Sequence, residues 1–480
     1  MTRTGTRATA GGIAALLLAF GGPAPGWADT PSPAGAAPVP LSWQPPPVDM
    51  SLVAPEGTPA APEAYQRKYG CLESNTRGAV LPGVPPAQAM LDIARAQQIS
   101  TGKGVTVAIV DTGVNKQSYL DGRLTGGGDY VDPSPVNNGT VDCDGHGTIT
   151  AGIVAADTRG SGLGFTGVAP DATILAIRQS SQAYVTTGDN PIGAGNTATL
   201  AEAIRHAVDA GAKVITTSVD ECIPVPVPGQ PVQLSAADRE LQATVHYAVQ
   251  HDVVVVNSAG NLTSGKCQNT PQNSDPDPNR VNQIQVPAVF SDDVLSVASV
   301  DPAGGSVSSF SVWGPWVSVA APGEGIVSID PAAGSSGLAN LYTEPGASKP
   351  NAIVGTSFAA PYVAGLAALL RSKYPTMSAR QIMTRIEATA QHPSGPNGRN
   401  NQVGYGVIDP VAALTAVIPG QNGVPKPTTT AIRALAPNSG ADDSLPLRVA
   451  LIGAGGAAAL VLVLFFVVRV RRSRVDGQGR

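Results

Sequence analysis

Residues 105–114 read Val105-Thr106-Val107-Ala108-Ile109-Val110-Asp111-Thr112-Gly113-Val114. The run is β-branched almost throughout and shows no alternation of polar and apolar residues. That is the pattern of a strand buried on both faces of a parallel sheet. It ends in an aspartate followed by a turn glycine. In open α/β sheets, reacting and binding groups gather at the carboxyl ends of strands, which is where Asp111 falls. Similar runs recur at Thr173–Ile177, Lys213–Ser218, Val253–Asn257 and Val294–Val300. Helical stretches lie between them. Thr199–Asp209 sets Ala201, Ile204, Ala207 and Val208 on one face, and Asp238–Gln250 follows. The alternation predicts an α/β fold built on a doubly wound parallel sheet, with too few units for a TIM barrel.

Three further segments carry chemistry. Gly355-Thr356-Ser357-Phe358-Ala359-Ala360-Pro361 opens an apolar helix running through Leu370. A serine at a helix start has unpaired N–H groups and a positive dipole end beside it. The small neighbours admit a carbonyl, and Pro361 is expected in the first turn, where its missing N–H costs little. His146-Gly147-Thr148-Ile149-Thr150-Ala151-Gly152 is a histidine opening a small-residue helix, with Gly147 and Gly152 expected to allow close packing around the imidazole. Val253–Asn257 leads into Ser258-Ala259-Gly260-Asn261, where Asn261 is placed to donate to an oxyanion and Asn257, within the strand, is the poorer candidate. Taken singly, these read as a strand-end turn residue, a structural histidine, a helix cap and a turn asparagine. Together they set Asp, His and Ser in the chain order of the subtilisin triad, distinct from that of chymotrypsin or the α/β-hydrolases. Asp142 and Asp144 are nearer His146 in sequence, but the loop is too short for them to support the ring from behind. They read as loop carboxylates.

From about Gly102 to Leu414 the chain resembles the subtilase family, on these motifs and on Gly167-Val168-Ala169-Pro170 before the strand at Thr173. The resemblance implies a serine endopeptidase acting on protein or peptide substrates. Asp111 would orient His146, His146 would serve as general base and Ser357 would attack. The oxyanion hole would be Asn261 with the Ser357 N–H. Substrate would lie along Ser218, Val219 and Asp220 and along Ser258, Ala259 and Gly260. Subtilases usually carry Ser-Leu-Gly where this chain has Ser218-Val219-Asp220-Glu221. The two acids predict tolerance of basic or small polar residues near the scissile bond.

Cys71, Cys143, Cys222 and Cys267 are an even set, for which disulfides are the default in an exported chain. Three pairings are open. The expected one is Cys71–Cys143, stapling the N-terminal extension beside the His146 loop, with Cys222–Cys267 joining loops at neighbouring strand ends. No metal or other cofactor is expected. Asp275 and Asp277 read as a solvated loop. Charged residues make up 14% of the chain and the formal net charge is −5, so there is no basic surface for nucleic acid.

Residues 1–28 have the basic, apolar and small-residue regions of a signal peptide, with Arg3 and Arg7, then Ile13–Phe20, then Gly26-Trp27-Ala28. Residues 29–101 form an extension whose Pro/Ala-rich start has no core of its own. Residues 102–418 are the expected peptidase domain and 419–448 a Pro-rich linker. Residues 449–468 carry no charge and are long enough to cross a membrane. Arg469, Arg471, Arg472 and Arg474 follow, in the tail 469–480. The positive-inside rule puts that tail in the cytoplasm and the enzyme on the extracytoplasmic side of the cell membrane. This combination resembles the mycosins, the anchored subtilases of type VII secretion systems. The resemblance implies an association with subunits of the secretion membrane complex, processing of secreted proteins, and an extension that wraps the catalytic domain without inhibiting it. A structural subunit whose proteolysis is dispensable is the rival reading.

Overall fold

The computed structural model describes residues 43–74, 83–132, 137–218, 221–225, 232–262, 267, 270–273, 281–343, 347–421 and 444–475. The chain forms two compact units, one up to Asn422 and one from Gly423. The first is built on a seven-stranded sheet of β1 (Thr106–Asp111), β2 (Leu124–Asp129), β3 (Thr173–Arg178), β4 (Val214–Thr217), β5 (Val254–Ser258), β6 (Val294–Val300) and β7 (Val319–Pro322). Its order is β7-β6-β5-β4-β1-β3-β2, and every neighbouring pair is parallel. From β1 the chain winds outward to β2 and β3, and from β4 it winds the other way. The winding therefore reverses between β1 and β4, the position where α/β sheets open a crevice.

Helices α1 (His146–Ala155) and α4 (Thr356–Lys373) pack on each other, as do α2 (Thr197–Asp209) and α3 (Ala236–Gln250). All nine residues from Gly147 to Ala155 are buried, as expected of a helix apolar all round. By contrast α2 and α3 are amphipathic and start on capping boxes, Asn196 with Thr199 and Ser235 with Asp238. Helix α5 (Ala379–Ala388) is likewise capped by Ser378 with Gln381.

Two strands of the seven-stranded sheet escaped the hydrophobic pattern. The sequence of β2 holds Gly126, Gly127 and Gly128, which carry no apolar signal. A Cβ on Gly127 would stand 2.7 Å from Leu175 Cδ1 of β3, one on Gly126 would meet Asn138 and one on Gly128 would meet Pro59, so close neighbours on several sides leave room only for glycine. Strand β7 is short and ends in Pro322, tolerable at a sheet edge.

From Trp43 the extension runs over the outside of the sheet's helices. The rings of Trp43 and Trp316 lie 5.5 Å apart. On α3, Gln242 Nε2 donates to Pro46 O at 2.7 Å, and Thr244 Oγ1 accepts from the Ala54 N–H at 2.9 Å. Tyr65–Arg67 then pairs antiparallel with Ser181–Thr186, which pairs with Gly193–Ala194. Glu73–Ser74 pairs with Leu341–Thr343, and that with Asn351–Ala352. Cys71 is bonded to Cys143 and Cys222 to Cys267.

The second unit contains helix α6 (Ser444–Val475). Its segment Val449–Arg471 is 23 residues long and contains an 18-residue window with a mean hydropathy of 2.7. At 1.5 Å per residue the whole segment is about 34 Å, enough for a hydrocarbon core of about 30 Å. The signal-peptide reading and most of the linker lie outside the described residues.

Two tests follow from the packing. Gly365 on α4 faces Val168, whose Cβ would be 2.5 Å from an added methyl. Gly365→Ala is expected to destabilise by about 1–3 kcal/mol in thermal melts, as overpacked cores do. Deleting residues 449–480 should move the protein from the membrane fraction to the soluble fraction on fractionation.

Candidate active site

Asp111 is the last residue of β1, 2% exposed, and His146 is the first of α1. The Nδ1 of His146 lies 2.7 Å from Asp111 Oδ1, which also accepts the Thr112 N–H at 2.7 Å. The pair is thus held by the backbone as well as by charge. Burial by itself would lower the His146 pKa. The neighbouring Asp111 carboxylate outweighs it, with smaller help from Asp142 and Asp144, and the net direction is upward from the ordinary value near 6.5.

Asp142 has a different task from holding the ring. Its carboxylate is buried and accepts from Thr112 Oγ1, the Gly145 N–H, the Thr148 N–H and Thr148 Oγ1, at 2.6–2.8 Å. Thr112 Oγ1 in turn accepts the Gly147 N–H at 2.9 Å. These bonds tie the end of β1 to the start of α1. Asp144 reaches elsewhere, accepting from Ser181 Oγ and from the Gln182 and Ala183 N–H groups. Gly147 is needed for this closeness, since a Cβ there would overlap the Gly113 carbonyl. Gly152 serves a separate contact. It faces Ser328 and Ile329, not the imidazole, because it lies one and a half turns further along α1.

Ser357 is the second residue of α4. Asp111, His146, Ser218 and Ser357 share one cleft of about 790 Å³, walled also by Tyr69 and Leu72 of the extension and by Phe358. Pro361 is not in the first turn: α4 begins at Thr356, so the proline is its sixth residue. Its absent N–H is the one that would have bonded the Ser357 carbonyl four residues back. That carbonyl accepts instead from Ser218 Oγ at 3.4 Å.

The amide oxygen of Asn261 accepts from both the N–H and Oγ1 of Thr356, each at 3.2 Å. The residue before the serine therefore fixes which end of the Asn261 amide is oxygen and which is nitrogen. Asn257 is buried and donates to Ser258 O at 2.7 Å. Ser258, Ala259 and Gly260 are buried at the end of β5. The Ala259 N–H donates to Val297 and the Gly260 carbonyl accepts from Val312. Val219 and Asp220 lie outside the described residues, as do Asp275 and Asp277. Glu221 is tied to a neighbouring helix. Its carboxylate accepts from Thr197 Oγ1 at 2.7 Å, at the start of α2, where a helix N-terminus favours negative charge. Among the described residues no group of three or more His, Cys, Asp or Glu is placed to hold a metal ion.

A profile of the subtilase family matches residues 102–406. The chain belongs to the subtilase family. Within it the mycosins are its relatives over nearly the whole length. Mycosin-4 of Mycobacterium tuberculosis (strain ATCC 25618 / H37Rv) is 37% identical over 448 residues, covering 92% of this chain and 94% of that protein. A solved structure of MycP1, described as a serine protease and essential component of the type VII (ESX-1) secretion system, is 38% identical. It superposes with a TM-score of 0.68 over 78% of this chain and 99% of its own. A chain in an intact ESX-5 inner membrane complex is 34% identical with a TM-score of 0.70, covering 88% and 99%. This subtilase is accordingly a serine endopeptidase with one C-terminal helix fit to anchor it in a membrane.

The sequence motifs pointed to Asp111, His146, Ser357 and Asn261, which the fold brings to the ends of β1, α1, α4 and β5. The Asp142 knot and Phe358 had no motif of their own. The only signal for Tyr69 and Leu72 at the cleft was Cys71 between them.

Asp142→Ala should cost about 3–5 kcal/mol in denaturant melts, because it strips a buried carboxylate from donors that stay buried. The base must be neutral to take a proton, so activity falls as pH drops through the His146 pKa. The acid limb of kcat/KM should therefore centre above 6.5. In Asp111→Asn the limb should move lower, with kcat down by about 10⁴.

Proposed function

We propose that the protein is a membrane-anchored, extracytoplasmic serine endopeptidase that works with a type VII secretion membrane complex. The observation that carries the catalytic part is the short Asp111–His146 bond in one cleft with Ser357, in a chain of the subtilase family. Substrate would enter extended, with its scissile carbonyl against the start of α4. Ser357 Oγ bonds to the carbonyl carbon as its proton passes to His146 Nε2, and the carbonyl electron pair moves onto oxygen. Asp111 holds the ring in the tautomer that leaves Nε2 able to accept, and stabilises the imidazolium that forms. The Ser357 N–H, one of the first-turn donors that a helix leaves unpaired, and the Asn261 amide would take the oxyanion. His146 then returns its proton to the departing amine, and water repeats the cycle on the acyl-enzyme.

The secretion role rests on the mycosin relatives and on the similarity to a chain of the ESX-5 inner membrane complex. The orientation rests on the four arginines after Val468, which outnumber the one, Arg448, directly before Val449. That neighbour also supports a scaffold role beside the chemistry. Fluorophosphonate should label the full-length protein in detergent and leave Ser357→Ala unlabelled. Absence of labelling in folded wild type would remove the assembled triad. In a deletion strain, Ser357→Ala should fail to process secreted proteins. Full restoration of both processing and secretion by that variant would overturn the protease reading.

A further inference from the structure

Phe358, the residue after the nucleophile, lies against the imidazole of His146. The ring centroids are 4.8 Å apart and the planes meet at 39°. Phe358 is 5% exposed and belongs to the core, whereas the His146 side chain is 28% exposed. A single hydrogen bond from Nδ1 to Asp111 leaves the imidazole able to swing about the Nδ1–Oδ1 axis. A fixed ring packed beside the imidazole at this tilt restricts that swing. Phe358 sits in the first turn of α4 with Ser357, its N–H donating to Gly355 O at 3.1 Å. Nucleophile and ring are therefore carried by one turn, which lines the same cleft as the histidine.

The contact also acts on charge. When His146 takes the serine proton it becomes a cation, and an aromatic face within about 6 Å of a cation attracts it. The charges that act on His146 are Asp111 at the end of β1 and, more weakly, Asp142 and Asp144 in the loop before α1, while Ser357 lines the same cleft and Phe358 on α4 lies beside the ring. Of these only Phe358 is apolar, and its ring makes the one aromatic contact to the imidazole among the described residues. Resting on the triad reading above, we propose that Phe358 is a positioning residue that holds the His146 ring in its reactive plane and stabilises the imidazolium formed during catalysis.

The test compares Phe358→Leu, Phe358→Met and Phe358→Tyr in the full-length protein. Histidine NMR of each in a Ser357→Ala background reads the His146 pKa without any need for activity. Leu and Met should lower that pKa by about 0.5–1.5 units, and Tyr should hold it. In the otherwise wild-type chain, Leu and Met should reduce kcat by roughly three- to thirtyfold, with KM changed less than twofold and the acid limb moved lower. The proposal is overturned if the His146 pKa stays put in both Leu and Met variants, or if Tyr is as impaired as they are. It is overturned equally if KM alone changes. An inactive wild type with a shifted pKa in the NMR series would strike at the triad reading and leave the ring contact standing. If Leu does not fold, Met, closer to Phe in length and more adaptable, decides the outcome.

Discussion

The buried carboxylate of Asp142 holds this catalytic centre together. Its two oxygens accept from the end of β1, through Thr112, and from the start of α1, through Gly145 and Thr148. Those two elements carry Asp111 and His146. A 2.7 Å hydrogen bond between side chains on separate elements needs their backbones fixed to a fraction of an ångström. A carboxyl group ringed by hydrogen-bond donors in a buried site does that more firmly than apolar contact, which has no direction. Burial meanwhile pushes the Asp142 carboxyl up to about 7, against those same hydrogen bonds, so the knot works against a desolvation penalty.

The same economy of position runs through α4. Its start supplies Ser357, the Thr356 groups that orient Asn261, and the Phe358 ring against His146. Pro361 removes one helix hydrogen bond, and the freed Ser357 carbonyl turns to Ser218 on the cleft wall. The apolar remainder of α4 lies against β4, β5 and β6 and leaves this first turn little room to shift. A reactive serine on a rigid, buried helix loses little entropy when the transition state forms.

The extension contributes by covalent and backbone bonds, not by a core of its own. Its segment from Tyr65 to Ser74 is paired to a strand on each side of the cleft and joined to Cys143, three residues before His146. Tyr69 and Leu72 become part of the cleft wall as a result. Strand pairing of two or three residues is weak by itself, and the disulfide removes much of the freedom the segment would otherwise have.

The sequence alone determined the parallel sheet, because β-branched runs such as Val105–Val110 and Val253–Val256 can be buried on both faces only there. It determined the triad candidates, because each sits where a strand ends or a helix begins. It also determined the anchor, because 20 uncharged residues before four arginines suit a membrane and little else. Tertiary structure decided what depends on approach between distant segments. The glycines of β2 are crowded by Asn138, Leu175 and Pro59, which come from three other segments, and Glu221 bonds Thr197 at the start of α2. Asp142 and Phe358 acquire their roles from neighbours in space. Periodicity records which side of an element is buried, and it holds no information on which side chain from another element will meet it there.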